Sequence, residues 1–294
     1  PALSRTTTWQ RTYCCCLARA DVEHRGRVPL ISQLLTNLDR MRPGILIAVL
    51  VAALATASCG SDGATGEDGT PPDVTVFAAA SLTAAFTDLG DAFTAATPGA
   101  EVTFSFAGSS ELVAQLREGA PAGVFASADL ANMAVLTEAD LVDGEPEVFA
   151  TNAAAIIVEA GNPRGVTGVA DLANDDLVVV QCAPEVPCGA YAEQVYANAG
   201  VTVMPSSLEQ NVKAVATKVL LGEADAGLVY RTDVLEAGDG ADGVTIPDDV
   251  NVVAEYPIAL VADAPAPLGG RAFIDFVLSA AGQRILVDHG FGPA

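Results

Sequence analysis

Aromatic residues are scarce. Phe, Tyr and Trp make up 5% of the 294 residues, and there is a single Trp. Ala and Val supply most of an apolar fraction of 51%. That composition suits helices packed tightly on sheets and argues against a cleft walled by aromatic rings. Basic residues are scarce too: 14 Lys and Arg stand against 37 Asp and Glu, a formal charge of −23. Nucleic acid demands a basic footprint, so this class of partner is excluded. The same balance opposes general attraction to anionic lipid. Beyond Met41 there is one histidine, His289, and no CxxC pair, which leaves zinc without a ligand set. No G-x-S-x-G turn is present, so the nucleophile elbow of an α/β hydrolase is missing. A Ser–Lys pair using Lys213 or Lys218 stays open as a hydrolase alternative, although nothing in the spacing requires it. His289 reads as a structural residue of an amphipathic helix.

What is present begins with an address. Seven of the 14 basic residues but only three of the acidic ones lie at or before Arg42, so the remainder carries −27. Residues 1–40 open on Pro1, show no clear period and include Cys14-Cys15-Cys16; they are expected to be an upstream extension. Residues 41–58 read as an export signal. Met41-Arg42 is the short basic region, Ile45–Leu54 the apolar core, and that core is short for a membrane span. It ends in Ala57-Ser58-Cys59, which resembles a bacterial lipoprotein signal, with Thr56 standing where such signals usually carry Leu or Val. The resemblance implies lipidation of Cys59; secretion with an incidental cysteine is the alternative. Residues 59–72 suit a flexible tether, with no hydrophobic side chain larger than Ala from Gly60 to Pro72. Two cysteines then remain in the body, Cys182 and Cys188. In an exported chain, a pair this close reads as a disulfide closing a small loop.

From Asp73 onward, strand and helix patterns alternate. Strands are expected at 74–78, 102–106 and 124–126, with helices at 81–97, 109–118 and 130–138. A second set follows: strands at 153–159, 177–181 and 227–230, helices at 190–199 and 211–221. Strands at 251–254 and 257–261 and helices at 271–279 and 282–289 close the chain. Alternation of this kind implies mixed, mostly parallel sheets flanked by helices. Two sets imply two lobes: 73–150 plus 263–294 as the first, 151–262 as the second. In open α/β sheets, ligands bind at the carboxyl ends of strands.

Three strand-to-helix turns there share a property. Ala78-Ala-Ala-Ser81, Phe106-Ala-Gly-Ser109-Ser110 and Pro187-Cys188-Gly189-Ala190 each place small residues at a helix N-terminus. Unpaired N–H groups and partial positive charge at such ends suit anions. Each turn taken singly is equally a structural cap.

Six segments in order extend this reading. Val76-Phe-Ala-Ala-Ala-Ser-Leu-Thr83, Phe106-Ala-Gly-Ser-Ser-Glu-Leu112, Gly119–Asp129, Val186-Pro-Cys-Gly-Ala-Tyr191, Gly227-Leu-Val-Tyr230 and Tyr256-Pro-Ile-Ala-Leu260 together resemble the periplasmic molybdate-binding proteins of ABC importers. The resemblance covers Asp73 to the last residue. It implies a two-lobed periplasmic-binding-protein (type II) fold with the ligand in the cleft. It further implies molybdate or tungstate held by the Ser81 and Ser109 hydroxyls, the Cys188 and Val212 N–H groups and the Tyr230 phenol. Molybdenum would enter as the oxyanion, with no directly coordinated metal and no cofactor. Cys188 stands where the family commonly has Ala, and Arg231 after Tyr230 is a departure. The partner implied is a membrane permease, with membrane contact through a lipid anchor only and a monomeric protein outside the cytoplasmic membrane. A receptor for sulfate or phosphate is the alternative within the same class. The hinge is expected near 149–153 and 261–264.

Overall fold

The computed structural model describes residues 73–294. The extension 1–40, the export signal 41–58, the lipidation of Cys59 and the tether 59–72 lie outside the described residues. The first strand, β1 (Val74–Ala79), is buried along almost its whole length, as expected of a strand covered on both faces. A 3-10 turn, Ala80–Leu82, leads from it into α1 (Thr83–Ala96). Then come β2 (Val102–Ala107), α2 (Ser109–Arg117), β3 (Val124–Ala126) and α3 (Leu130–Glu138). The 18-residue strand β4 (Val142–Glu159) carries the chain into the second set. That set comprises β5 (Val179–Cys182), α4 (Pro187–Ala199), β6 (Ser207–Glu209), α5 (Val212–Leu220), β7 (Ala226–Tyr230), α6 (Arg231–Ala237) and β8 (Ala241–Thr245). The chain returns through β9 (Val253–Val261) and finishes with α7 (Pro267–Leu278) and α8 (Ala280–Asp288).

The strand order is β2-β1-β3-β9-β4-β7-β5-β6, with β8 also on β4. Pairing is parallel on both flanks, β1 with β2 and β3, β5 with β6 and β7. It is antiparallel at the centre, where β4 and β9 run together. The first two-thirds of β4 pairs with β9, and its last part, from Ala154, pairs with β7 and β8. Two α/β halves are therefore joined through β4, which pairs in both, while β9 pairs with β3 and β4, and helices cover the sheets. The architecture is α/β and two-lobed.

Some elements differ from the expectation in the sequence. The strands at 251–254 and 257–261 are one strand, β9, although Pro257 interrupts the pattern. Pro257 pairs with Val148 at a register shift, and its carbonyl accepts the Ser127 N–H at 2.9 Å. A proline is tolerated where the ladder is irregular and asks for no N–H. The strand expected at 153–159 is the end of the much longer β4. Helix α4 starts three residues early, at Pro187, a residue suited to the first helical turn. Strands β6 and β8 and helix α6 gave no clear period: each is short, and β8 (Ala-Asp-Gly-Val-Thr) is poor in strand formers, held in place by β4.

The few aromatics are concentrated behind the cleft. Ala85, Phe86, Leu89 and Phe93 form the buried face of α1. The Phe86 ring lies 5.6 Å from Phe149 and 6.0 Å from Phe273 by centroids, at tilted and edge-on angles. Tyr256 continues the cluster to Phe149 and Phe291. Truncating one of these fully buried rings to Ala costs about 3–5 kcal/mol.

Candidate functional site

The carboxyl ends of β1, β2, β5 and β7 converge on one small cavity. It is lined by Ser81, Ser109, Cys188, Val212 and Tyr230, together with Ala79, Ala80, Gly108, Ala128, Val186, Pro187 and Asn211. All five residues singled out in the sequence thus meet at one place. The cavity is small, about 10 Å³. Among the described residues, no charged side chain lines it.

Each donor is positioned by a local feature of the chain. Ser81 sits in the 3-10 turn after β1, 5% exposed. Its Oγ lies 3.0 Å from the Tyr256 phenol oxygen. Ser109 opens α2 and is 1% exposed; its Oγ accepts the Ala128 N–H at 3.1 Å. With its oxygen so engaged, the Ser109 hydroxyl proton remains to be donated. Cys188 is the second residue of α4 and Val212 the first of α5. The N–H groups of a first helical turn have no intrahelical acceptor and carry partial positive charge. Asn211, the N-cap of α5, accepts the Ala214 N–H at 3.0 Å and lines the cavity beside Val212. The Tyr230 phenol is buried, 2% exposed, and its oxygen has no hydrogen-bond partner among the described residues. Buried polar atoms are nearly always paired, so an orphan at the wall of a cavity points to a ligand. Burial, followed by the neighbouring Tyr256, Tyr191, Asp129 and Asp233, raises the Tyr230 phenol well above its ordinary value of 10, which keeps it a donor.

The turns are held close by small residues and a cross-link. A Cβ on Gly108 would fall 2.4 Å from the Gln210 carbonyl oxygen, so the β2–α2 turn and the loop before α5 meet backbone to backbone. A Cβ on Gly189 would fall 2.0 Å from the Ala183 carbonyl oxygen. Cys182, the last residue of β5, is joined by a disulfide to Cys188, with Cα atoms 5.7 Å apart. The residue carrying one of the candidate N–H groups is therefore anchored covalently to the sheet.

The charged residues near the site point elsewhere. Arg231 donates from Nη2 to the Gly290 carbonyl at 2.7 Å and does not line the cavity. Lys218 lies against Glu209 Oε1 at 2.5 Å and Ser207 Oγ at 3.0 Å; Lys213 lies against Asp233 and Glu236. Neither ammonium faces Ser81 or Ser109. His289 Nε2 meets Asp88 Oδ2 at 2.8 Å; it does not line this cavity but lines a neighbouring one that also reaches Ser81.

Tyr256, the Ala128 N–H and Asp233 support the site; the sequence motifs include Tyr256 and Ala128, but the sequence assigned a role to none of the three. Asp233 carried a local signal: it stands three residues after Tyr230, the spacing at which a side chain reaches back to the N–H before a helix. Its Oδ2 accepts the Tyr230 N–H at 3.0 Å.

Two lobes closed over a small, uncharged cavity lined with hydrogen-bond donors define a periplasmic binding protein. Residues 74–292 match the family model of the bacterial extracellular solute-binding proteins, and the chain belongs to that family. It is 43% identical over 252 residues to the molybdate-binding protein ModA of Mycobacterium bovis, covering 84% of this chain and 96% of that one. Among solved structures it is similar to the substrate-binding domain of a putative molybdenum ABC transporter from Clostridium difficile. There the TM-score is 0.59 and the identity 26%, over 76% of this chain and 99% of that one. The sulfate-binding protein SubI from Mycobacterium tuberculosis H37Rv has a TM-score of 0.69 at 19% identity, over 76% and 87% of the two chains, which shows the shared fold.

Proposed function

We propose that this protein captures a tetrahedral metal oxyanion, molybdate or tungstate, outside the cytoplasm and delivers it to the permease of an ABC importer. The observation that carries the reading is the buried, unpartnered Tyr230 phenol at the wall of an uncharged cavity. Around it the Ser81 and Ser109 hydroxyls and the Cys188 and Val212 N–H groups supply further donors. A tetrahedral dianion has four acceptor oxygens, and neutral donors at helix ends replace its hydration without an ion pair. The body's net charge is then of little consequence to the pocket, whose field comes from local dipoles. A donor-only site also disfavours hydrogen phosphate, whose proton finds no acceptor. The 43% identity to a protein named for molybdate supports the choice of anion.

In this reading the lobes are 73–150 plus 263–294 and 151–262. Ser81 and Ser109 stand on the first and Cys188, Val212 and Tyr230 on the second, so the anion bridges them and favours the closed form. The protein performs no chemistry and needs no cofactor. It works as a monomer, with Cys59 lipidated and residues 59–72 as its tether. Calorimetric titration with molybdate, tungstate, sulfate and phosphate tests the anion. Binding of molybdate or tungstate in clear preference is the expected result; tight binding of sulfate or phosphate alone overturns it. Turnover of a chromogenic ester, lost on Ser81→Ala, would overturn the absence of catalysis.

A further inference from the structure

Outside the cavity, a partly buried ion pair joins α5, which Val212 opens, to α6, which Tyr230 caps. Lys213 directly follows Val212 on α5. Its Nζ lies 2.9 Å from Asp233 Oδ1 and 2.5 Å from Glu236 Oε2, both on α6. The Asp233 side chain is wholly buried, that of Glu236 is 43% exposed. The other Asp233 oxygen, Oδ2, accepts the Tyr230 N–H at 3.0 Å. A single carboxylate thus fixes the backbone of the residue that presents the phenol, and a single ammonium ties that carboxylate to the first turn of α5. We propose that Lys213 and Asp233 are positioning residues of the anion site. Lys213 is there to neutralise a carboxylate buried beside a cavity that receives an anion. The inference rests on the oxyanion reading given above.

Asp233 does geometric work that an anion site would otherwise forbid. A bare carboxylate in a low-dielectric interior repels a second negative charge strongly, and it is costly to bury unpaired. With Lys213 beside it, the pair is close to neutral as seen from the cavity, and the Tyr230 N–H keeps its acceptor. Glu236 is the remaining acid on this ammonium; its exposure lets water screen it. Burial is the main reason the Asp233 carboxyl stands above its ordinary range, with Lys213 and the Tyr230 N–H acting the other way, so the ammonium is what favours its ionised form.

The charge role and a merely structural role predict different patterns. Calorimetric titration of the full chain with sodium molybdate, alongside urea unfolding of each variant, separates them. Lys213→Met is expected to weaken molybdate binding by about tenfold or more, and Lys213→Arg to restore it. Lys213→Met combined with Asp233→Asn is expected to recover most of the lost affinity, because the uncompensated charge is gone and Asn keeps an acceptor for the Tyr230 N–H. Lys213→Gln, which removes the charge but can still donate to Asp233, serves if Lys213→Met does not fold: its affinity is expected to fall as in Lys213→Met. Wild-type affinity in Lys213→Met or in Lys213→Gln, or a double variant weaker than the single one, overturns the inference. If the wild type binds molybdate and these patterns fail, only this inference falls. If the wild type binds none of molybdate, tungstate, sulfate and phosphate, the oxyanion reading falls and takes it along.

Discussion

The hydroxyls of Ser81 and Tyr256, 175 residues apart in the chain, lie 3.0 Å from each other with both side chains buried. Burial raises the Tyr256 phenol above its ordinary range, so it stays protonated and can donate to Ser81 Oγ. The Ser81 proton is then free for the cavity. Tyr256→Phe is expected to cost about 1 kcal/mol of anion binding by leaving the serine unoriented. Titration calorimetry reads the loss; an unchanged affinity means that Ser81 needs no orienting partner.

Tyr230→Phe removes a polar atom that has no internal partner. Its effects on binding and on stability should therefore separate. Loss of one donor to a charged acceptor is expected to weaken binding by about 1.5–3 kcal/mol, while the thermal midpoint of the free protein holds or rises. In the wild type, the raised phenol remains a donor beyond its ordinary value of 10. Affinity should accordingly be flat between about pH 6 and 9. A fall in affinity toward the alkaline end of that range would show that the phenol is losing its proton.

Gly108→Ala tests closure. The added methyl meets the Gln210 carbonyl, a backbone atom that cannot swing away. The glycine itself has ordinary extended backbone angles, φ −60° and ψ 140°, so Ala is not strained there. The expected outcome is a folded protein with weakened binding and, by small-angle X-ray scattering in excess molybdate, a larger radius of gyration than the wild type. A wild-type radius and affinity together would mean that the two loops have room to part without opening the cleft.

Breaking the Cys182–Cys188 disulfide by replacing both residues with Ser should lower stability by roughly 2 kcal/mol, in line with a very small closed loop. It should also loosen the turn that presents the Cys188 N–H. Urea unfolding reads the first effect and titration calorimetry the second. Equal affinity in the variant would show that the turn is held by its close backbone packing, of which Gly189 against Ala183 is part.

The anion-facing turns were legible because their signals are local. A strand pattern gives way to a helix pattern across Ala78–Ser81, Phe106–Ser110 and Pro187–Ala190, with small residues at each junction. The supports were not legible in the same way. Ser81 to Tyr256, Gly108 to Gln210 and Lys213 to Asp233 are contacts between segments that only the fold brings together. Asp233 alone had a local mark, its spacing from Tyr230. Among the elements, β9 was split by its proline and β6 was too short to show a period. The sheet's centre was the harder part to foresee, because antiparallel pairing of two long strands leaves no motif of its own.

The central strand β4 belongs to both halves at once, paired with β9 along one stretch and with β7 and β8 along the next. Its ladder to β9 slips register between Asp143 and Glu147 and again between Val148 and Ala150. One passage between the halves is this strand, and the other is the stretch 246–252 between β8 and β9. A swing of one half against the other would bend β4 itself, as a leaf spring bends, with the strain spread over its hydrogen bonds.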